Sequence, residues 1–559
     1  MKIFIFITLF IGQFVHAVSP DWSGHAQIPL GTDRANIYLL SNEELHLAKL
    51  NGFVSATQYP VQVTGLALPY GPMKKFFDLD YQNPLKKLLA QVGHRFIDFK
   101  SEDDLFLWLG LNPFNQINDE YSKYFTPRPM GSDPKMPMGA GFVNTKHGQG
   151  LTFSCFTCHS NYLFGKTVIG LTNKRTRANE FFILGKQGAS ILNPLLFQVA
   201  TDANNFETEL FKYDKNNLNR VGVRKPQTLG LDTSLAQVAL SLAHRGSDEF
   251  ATPSVLKEKF PENNPLEHIV ADSKPMPWWN LKYKTKWLAD GSIVTGNPVL
   301  TNFLWNEIGR GTDLKELKQW MVLNEKTIKN LTAAVFATEA PRWTEFFSET
   351  TLQIERAKKG EKIFNQSCSK CHGTYLKAWS LPNSEQLPAI KQVETIEFKY
   401  FEVTPIRNVG TDPLRYEGMK YFAERLNNLE ISRWMKTKVL PQEGYVPPPL
   451  IGIWSRYPYL HNNSVPNLCA LMTPPEKRPL FFVQGPSINP ATDFDFECVG
   501  YPVGDKIPQQ WLEDKEAYYQ VGREGMSNQG HYRMFQTEDG EELYSEDDKR
   551  NLREFLKTL

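Results

Sequence analysis

The sequence predicts a mainly α chain with long irregular segments, organised in two parts around two copies of one pentapeptide. Three observations predict it. Cys155-Phe156-Thr157-Cys158-His159 and Cys368-Ser369-Lys370-Cys371-His372 repeat a CxxCH pattern. Runs of helical periodicity lead into the second copy and recur at the end of the chain. Between those runs lie 37 prolines and 37 glycines, with 13% aromatic residues, a composition of irregular segments packed by large rings. At 559 residues the chain also exceeds what a single core usually carries.

Taken in order, residues 1–17 carry one positive charge at Lys2, an apolar run over 3–11 and the small-residue pattern Val15-His16-Ala17. This reads as a secretory signal peptide cleaved near Ala17. Its apolar run is shorter than the roughly 20 residues a bilayer crossing needs. No comparable run follows, so the mature chain is expected to be periplasmic or secreted, without a transmembrane segment. Lysine plus arginine number 62 against 61 aspartates and glutamates, which gives no case for nucleic acid or an anionic membrane as a partner.

Residues 18–150 are mixed in pattern, with a short helix expected over 83–92, and are expected to wrap the first CxxCH copy. Residues 161–173 (NYLFGKTVIGLTN) read as a short hairpin beside it. Helices are expected over 179–204 and 234–244. Pro275-Met276-Pro277-Trp278-Trp279 opens a loop that ends in a turn at Asp290-Gly291. Residues 313–337 have apolar side chains at helical spacing, with Thr312 or Asp313 as cap. A helix over 351–364 feeds into Cys368. In the last helix, Ser545 caps, Asp547 and Asp548 fill the first turn, and Leu552, Phe555, Leu556 and Leu559 share a face.

A CxxCH pentapeptide is the attachment pattern of c-type haem: two thiols become thioethers and the adjacent histidine ligates the iron. Cys155, Cys158, Cys368 and Cys371 are thus read as the anchors of two covalent haem c groups, with His159 and His372 as iron ligands. A zinc site lacks further Cys or His at ligand spacing, and a redox dithiol lacks its βαβ context. A helix followed by CxxCH is the order of a small cytochrome c domain. The expected architecture is therefore two cytochrome c-like haem domains with large loop insertions, over residues 18–345 and 346–559. Cys469 and Cys498 are an even pair in an oxidising compartment, and read as a disulfide or as two thiols.

Several stretches carry a resemblance. Residues 449–468 (PLIGIWSRYPYLHNNSVPNL) are similar to the signature PLxGIWxxxPYLHNGSVPxL of the diheme rubber oxygenases, which belong with the bacterial diheme cytochrome c peroxidases. VIGLTN at 168–173, MPWWNLKYK at 276–284, VGTDP at 409–413 and SNQGH at 527–531 match the same family. The resemblance implies that the first haem has a histidine on one side only and binds dioxygen on the other, while the second is held by two histidines. It makes His531 the second ligand opposite His372, His461 a haem-proximal hydrogen-bonding residue, and Trp279 a wall of the oxygen pocket. Two departures stand out. The family's phenylalanine near the first haem falls on Asp290-Gly291-Ser292, and Asn463 replaces a signature glycine, a residue that tolerates positive φ.

Three functions compete. The first is an oxidoreductase that activates O2 at the first haem against an apolar unsaturated substrate. The second is a peroxidase that reduces H2O2 there, with electrons relayed by the second haem. The third is a carrier with both irons six-coordinate, for which Met130, Met136, Met138, Met276, Lys146 and His147 are candidate sixth ligands. A small redox protein is the expected electron partner.

Overall fold

The computed structural model describes residues 34–95 and 100–559. The expected signal peptide at residues 1–17 lies outside them. Helices dominate. The strands are short, pair two or three at a time, and form no closed barrel among the described residues.

The chain enters through α1 (Asn42–Gln58), which Ser41 caps in a reciprocal capping box with Glu44. Asn83 caps α2 (Pro84–Gly93), close to the predicted bounds. Two strands that the sequence reading did not anticipate, β1 (Ala140–Thr145) and β2 (Gly148–Phe153), form a hairpin leading into the one-turn helix α3 (Phe156–His159). The predicted hairpin follows as β3 (Ser160–Leu163) paired antiparallel with β4 (Lys166–Ile169).

The helix expected over 179–204 is two, α4 (Ala178–Ile191) and α5 (Pro194–Thr201). Pro194 cannot continue a helix, and Asn193 caps the new one. Then come α6 (Ser234–Ala243), a 3₁₀ segment at Trp278–Tyr283, and α7 (Pro298–Gly309). The helix expected over 313–337 is also divided, into α8 (Leu314–Leu323) and α9 (Glu325–Phe336). At the break the Asn324 side chain donates to the Trp320 carbonyl at 2.8 Å, competing for a backbone acceptor as asparagine does. Helix α10 (Ile354–Ser367) starts three residues later than expected, because Glu349–Thr351 form a 3₁₀ turn. It runs into α11 (Ser369–His372). The terminal helix α12 (Glu546–Lys557) has the expected Ser545 cap, closed into a capping box by Asp548.

Two large apolar clusters hold the molecule together. One gathers α1, α6, α7, α8 and α9 and takes in Met419, Phe422, Leu426 and Met435 from the C-terminal half. The other is built where α10 crosses α12, with Phe364 against Phe555 at 5.1 Å between ring centroids. The helices cross closely at Gly360, where a Cβ would lie 2.0 Å from the Asn551 carbonyl oxygen. This second cluster reaches back to Leu163, Val168 and Leu171 beside the first CxxCH copy. Both clusters thus draw on residues from either side of position 345, so the parts of the chain interlock.

Candidate functional site

The first CxxCH copy is held from both ends. The Cys155 amide donates to the Ala56 carbonyl of α1 at 3.2 Å, and the Thr157 hydroxyl to the Gly139 carbonyl at 2.8 Å. The chain returning from β4 takes the carbonyls: Gly170 N–H donates to His159 at 2.8 Å and Asn173 N–H to Cys158 at 2.9 Å. The Asn173 side chain adds a bond to the Thr157 carbonyl at 2.8 Å. This is the structural work of the VIGLTN stretch. Gly170 has a φ of 76°, and a Cβ there would lie 3.0 Å from Trp278 Cβ.

These contacts aim Cys155, Cys158 and His159 into a cavity of about 280 Å³, also bordered by Tyr59, Trp278 and Phe303. Neither thiol is in a disulfide. Burial pushes Cys155 up to about 11 and Cys158 up to about 12. Burial pushes His159 down to about 4, offset in part by the Met276 backbone. Its Nδ1 is buried with no hydrogen-bond partner among the described residues. The Trp278 ring lies 5.2 Å from the imidazole, tilted by 35°. It is therefore Trp278 that borders this cavity. Trp279 turns the other way into the second cluster, and its Nε1 donates to the Ile451 carbonyl at 3.0 Å.

Of the six candidate sixth ligands, Met276 borders the cavity. Met130 is fully exposed, Met136 and Met138 are buried in apolar clusters, Lys146 pairs with Glu316, and His147 packs on Tyr213. The turn at Asp290-Gly291-Ser292 has Gly291 at a φ of 68° and serves a different end: Asp290 is fully buried and paired with Arg415 at 2.9 Å.

A polar cluster that sequence reasoning missed also reaches this cavity. Tyr59 and Arg310 both border it. The Tyr59 hydroxyl donates to the buried Glu307 carboxylate, which accepts from Thr312 as well. The Arg310 guanidinium lies 4.0 Å over the Tyr59 ring and donates to Thr152 Oγ1 at 2.9 Å. Tyr59 sits at a φ of 61° and a ψ of 106°, a backbone conformation a bulky residue adopts only under constraint. No local pattern links these residues, since Tyr59 and Glu307 stand 248 positions apart.

The second copy faces an apolar cavity of about 230 Å³ bordered by Phe364, Cys368, Cys371, His372, Leu468 and His531. Neither Cys368 nor Cys371 is in a disulfide, and burial pushes Cys368 up to about 12. His372 Nδ1 lies 2.8 Å from the Pro448 carbonyl. That contact makes Nδ1 the donor and leaves Nε2 as a lone pair, the arrangement of a metal-ligating histidine. The His531 ring faces it, with centroids 6.1 Å apart. Nitrogens about 2 Å from an iron on either side put imidazole centroids about 6 Å apart, so the pair has the spacing a shared iron requires. His531 is held at a φ of 51° by its amide bond to the Val409 carbonyl at 2.9 Å. Burial and the neighbouring His372 push it down to about 3, and its Nδ1 has no partner among the described residues.

His461 borders the same cavity but is otherwise engaged. It stacks on Tyr445 at 4.0 Å, and its Nε2 lies 2.9 Å from the Tyr445 hydroxyl, which donates in turn to the Asp412 carbonyl. Asn463 takes a φ of 61°, the conformation expected of the glycine it replaces. Cys469 and Cys498 form a disulfide, with Cα atoms 4.9 Å apart.

Both donor sets fit a covalent haem: paired thiols outside any disulfide, an adjacent histidine, and a cavity with largely apolar walls. Among the described residues no group of three or more His, Cys, Asp or Glu is arranged to hold a bare metal ion. Lys274, Pro275, Met276 and Ala289 border both cavities, so one short wall divides them.

Comparison with known proteins bears on a stretch beside the second cavity. Residues 444–483, which include much of that cavity's lining, match the family model described as RoxA-like, cytochrome c-like. The match supports membership of the RoxA-like cytochrome family and a haem-binding c-type cytochrome domain in this chain. Two proteins of Sinorhizobium fredii are similar to it. The uncharacterized protein y4iJ is 24% identical over 262 residues, covering 39% of this chain and 40% of that one. The uncharacterized protein y4iM is 34% identical over 99 residues, covering 16% and 20% respectively. The chain thus spans less than half the length of these curated relatives. Among the described residues no helix is long and apolar enough to cross a membrane.

Proposed function

We propose that this chain is an exported, periplasmic or secreted c-type cytochrome with two haem groups, and an oxidoreductase that activates O2 at the first. The observation that carries the reading is an asymmetry. His372 and His531 face each other with ring centroids 6.1 Å apart, whereas His159 is the one histidine among the described residues bordering the first cavity. A haem iron takes up O2 or peroxide where one axial position is open, and serves electron transfer where two histidines hold it.

The chain's own residues then divide the work. Cys155 and Cys158 anchor the first group, and Cys368 and Cys371 the second. His159 holds one iron and is confined by Trp278; His372 and His531 hold the other between them. Val238, Leu331 and Val335, with Phe303, give the first cavity an apolar wall that suits an unsaturated apolar substrate. A small redox protein is the expected source of electrons for the second site. Incubation with isoprenoids under isotopically labelled dioxygen tests the reaction: labelled oxygen in the product is expected, and no oxygenated product contradicts it.

One observation favours peroxide reduction as a second reading. Tyr59 borders the first cavity with its hydroxyl donating to Glu307 and its ring covered by Arg310, so a hydrogen-bonded phenol–carboxylate pair stands beside that cavity, through which a proton for O–O cleavage can be passed. A peroxide assay driven by a reduced cytochrome decides it. Turnover that Tyr59→Phe abolishes supports this reading, and no turnover in the unmodified chain rejects it.

A further inference from the structure

The wall between the cavities holds more positive charge than the protein neutralises. Lys274 borders both cavities, and Arg456 borders the second. Lys274 Nζ donates only to main-chain carbonyls, those of Arg456 at 3.2 Å and of Pro458. Arg456 Nη1 donates to the Pro449 carbonyl at 2.9 Å. Behind them the fully buried Lys284 reaches the Met276 sulfur at 3.1 Å and the Leu288 carbonyl at 3.5 Å. Among the described residues none of these three cations has an ion-pair partner. The nearby carboxylate, Asp290, is committed to Arg415.

Burial and the neighbouring Arg456 hold Lys274 well below the ordinary lysine range, and burial pulls Arg456 down to about 10. Cations enclosed this way are retained at a cost unless an anion joins them. The second cavity's border thus offers donors and positive charge with no acidic side chain to take them, and in the first the acidic residue on the border, Asp232, accepts from the Ser234 amide instead. The anion that would complete the wall must reach it from inside a cavity, and a haem carries two carboxylate side groups on one edge.

We infer that Lys274 and Arg456 are the seat of the haem carboxylates, with Lys274 shared between the two groups and Arg456 serving the one anchored at Cys368 and Cys371. The inference rests on the two-haem reading. One lysine then presents its charge to both cofactors, so the wall couples their potentials as well as separating them. A cation beside a haem favours the state with one more electron, so its removal lowers the potential.

The test uses the haem-loaded full chain: a pyridine haemochrome count of covalent haem and a spectroelectrochemical titration of each haem. Two haems per chain are expected in the unmodified protein. Lys274→Met should shift both midpoint potentials downward, Arg456→Gln only that of the haem held by His372, and Lys274→Arg should restore both. Two haems with potentials unmoved by Lys274→Met would overturn the inference alone. A count of one haem would overturn the two-haem reading itself. Infrared difference spectra during stepwise reduction of the unmodified chain need no variant: bands of ionised carboxylates should accompany both steps, and bands of protonated carboxylic acids would contradict the seat.

Discussion

The same pentapeptide sits in two unlike cavities. At Cys368 to His372 the histidine is oriented by a backbone carbonyl and faced by a second imidazole. At Cys155 to His159 it is flanked by an indole, and the Met276 main chain lies near the ring without a hydrogen bond of ordinary geometry to Nδ1. The difference is not written in the CxxCH turns. It lies in what the rest of the chain brings to each: His531 of SNQGH borders the second, whereas Tyr59, α7 and Trp278 border the first. On the proposed reading attachment chemistry is thus local, and reactivity is decided by long-range packing.

The largest expected effect separates the two anchors. Replacing Cys368 and Cys371 by serine should halve the haem stoichiometry and leave the first site able to bind carbon monoxide. Replacing Cys155 and Cys158 should halve it as well but abolish that binding. Pyridine haemochrome and absorption spectra read both outcomes. Next, His531→Gly should make the second site resemble the first: electron paramagnetic resonance should lose the low-spin signal of the bis-histidine iron. A spectrum unchanged by that substitution would break the comparison.

Two effects of similar size concern the scaffold. Gly360→Val pushes a side chain into the Asn551 backbone where α10 crosses α12, and should cost about 3 kcal/mol in denaturant unfolding. The wall between the cavities is probed by pH. Burial raises Asp272, two residues before Lys274, to about 6 from an ordinary 3.8. A raised carboxyl favours the folded state while protonated, so its contribution is present below about pH 4 and is lost as pH rises through about 6, some 3 kcal/mol in all. Unfolding at pH 4 and pH 7 should show Asp272→Asn gaining by about that amount relative to the unmodified chain at the higher pH. The smallest effect is at Asn463, whose φ of 61° suits glycine better than a branched residue. Asn463→Val should cost about 1 to 2 kcal/mol, and Asn463→Gly close to nothing, in the same assay.

What the sequence made legible follows from range. CxxCH is five contiguous residues whose chemistry needs no neighbours, and the last helix is marked by its own cap, Ser545, and its own apolar face. That His531 borders the cavity of His372, and that Asn463 takes a positive φ, were legible through resemblance. The breaks at Asn193-Pro194 and Asn324 were less so, because apolar periodicity runs across both and only the local competition for hydrogen bonds ends the helices. Tyr59, Glu307 and Arg310 had no sequence signal, since their meeting depends on α1 packing against α9, which sets Tyr59 at its end against Phe303 of α7. The choice between Trp278 and Trp279 was likewise invisible: adjacent residues of a 3₁₀ turn point to different cores, and periodicity cannot say which core holds the cavity.

Carbon monoxide titration of the fully reduced protein tests the central asymmetry most directly. One equivalent bound for every two haems is the predicted result, with the spectral change confined to the haem anchored at Cys155 and Cys158. No binding, or binding at both haems, would contradict it.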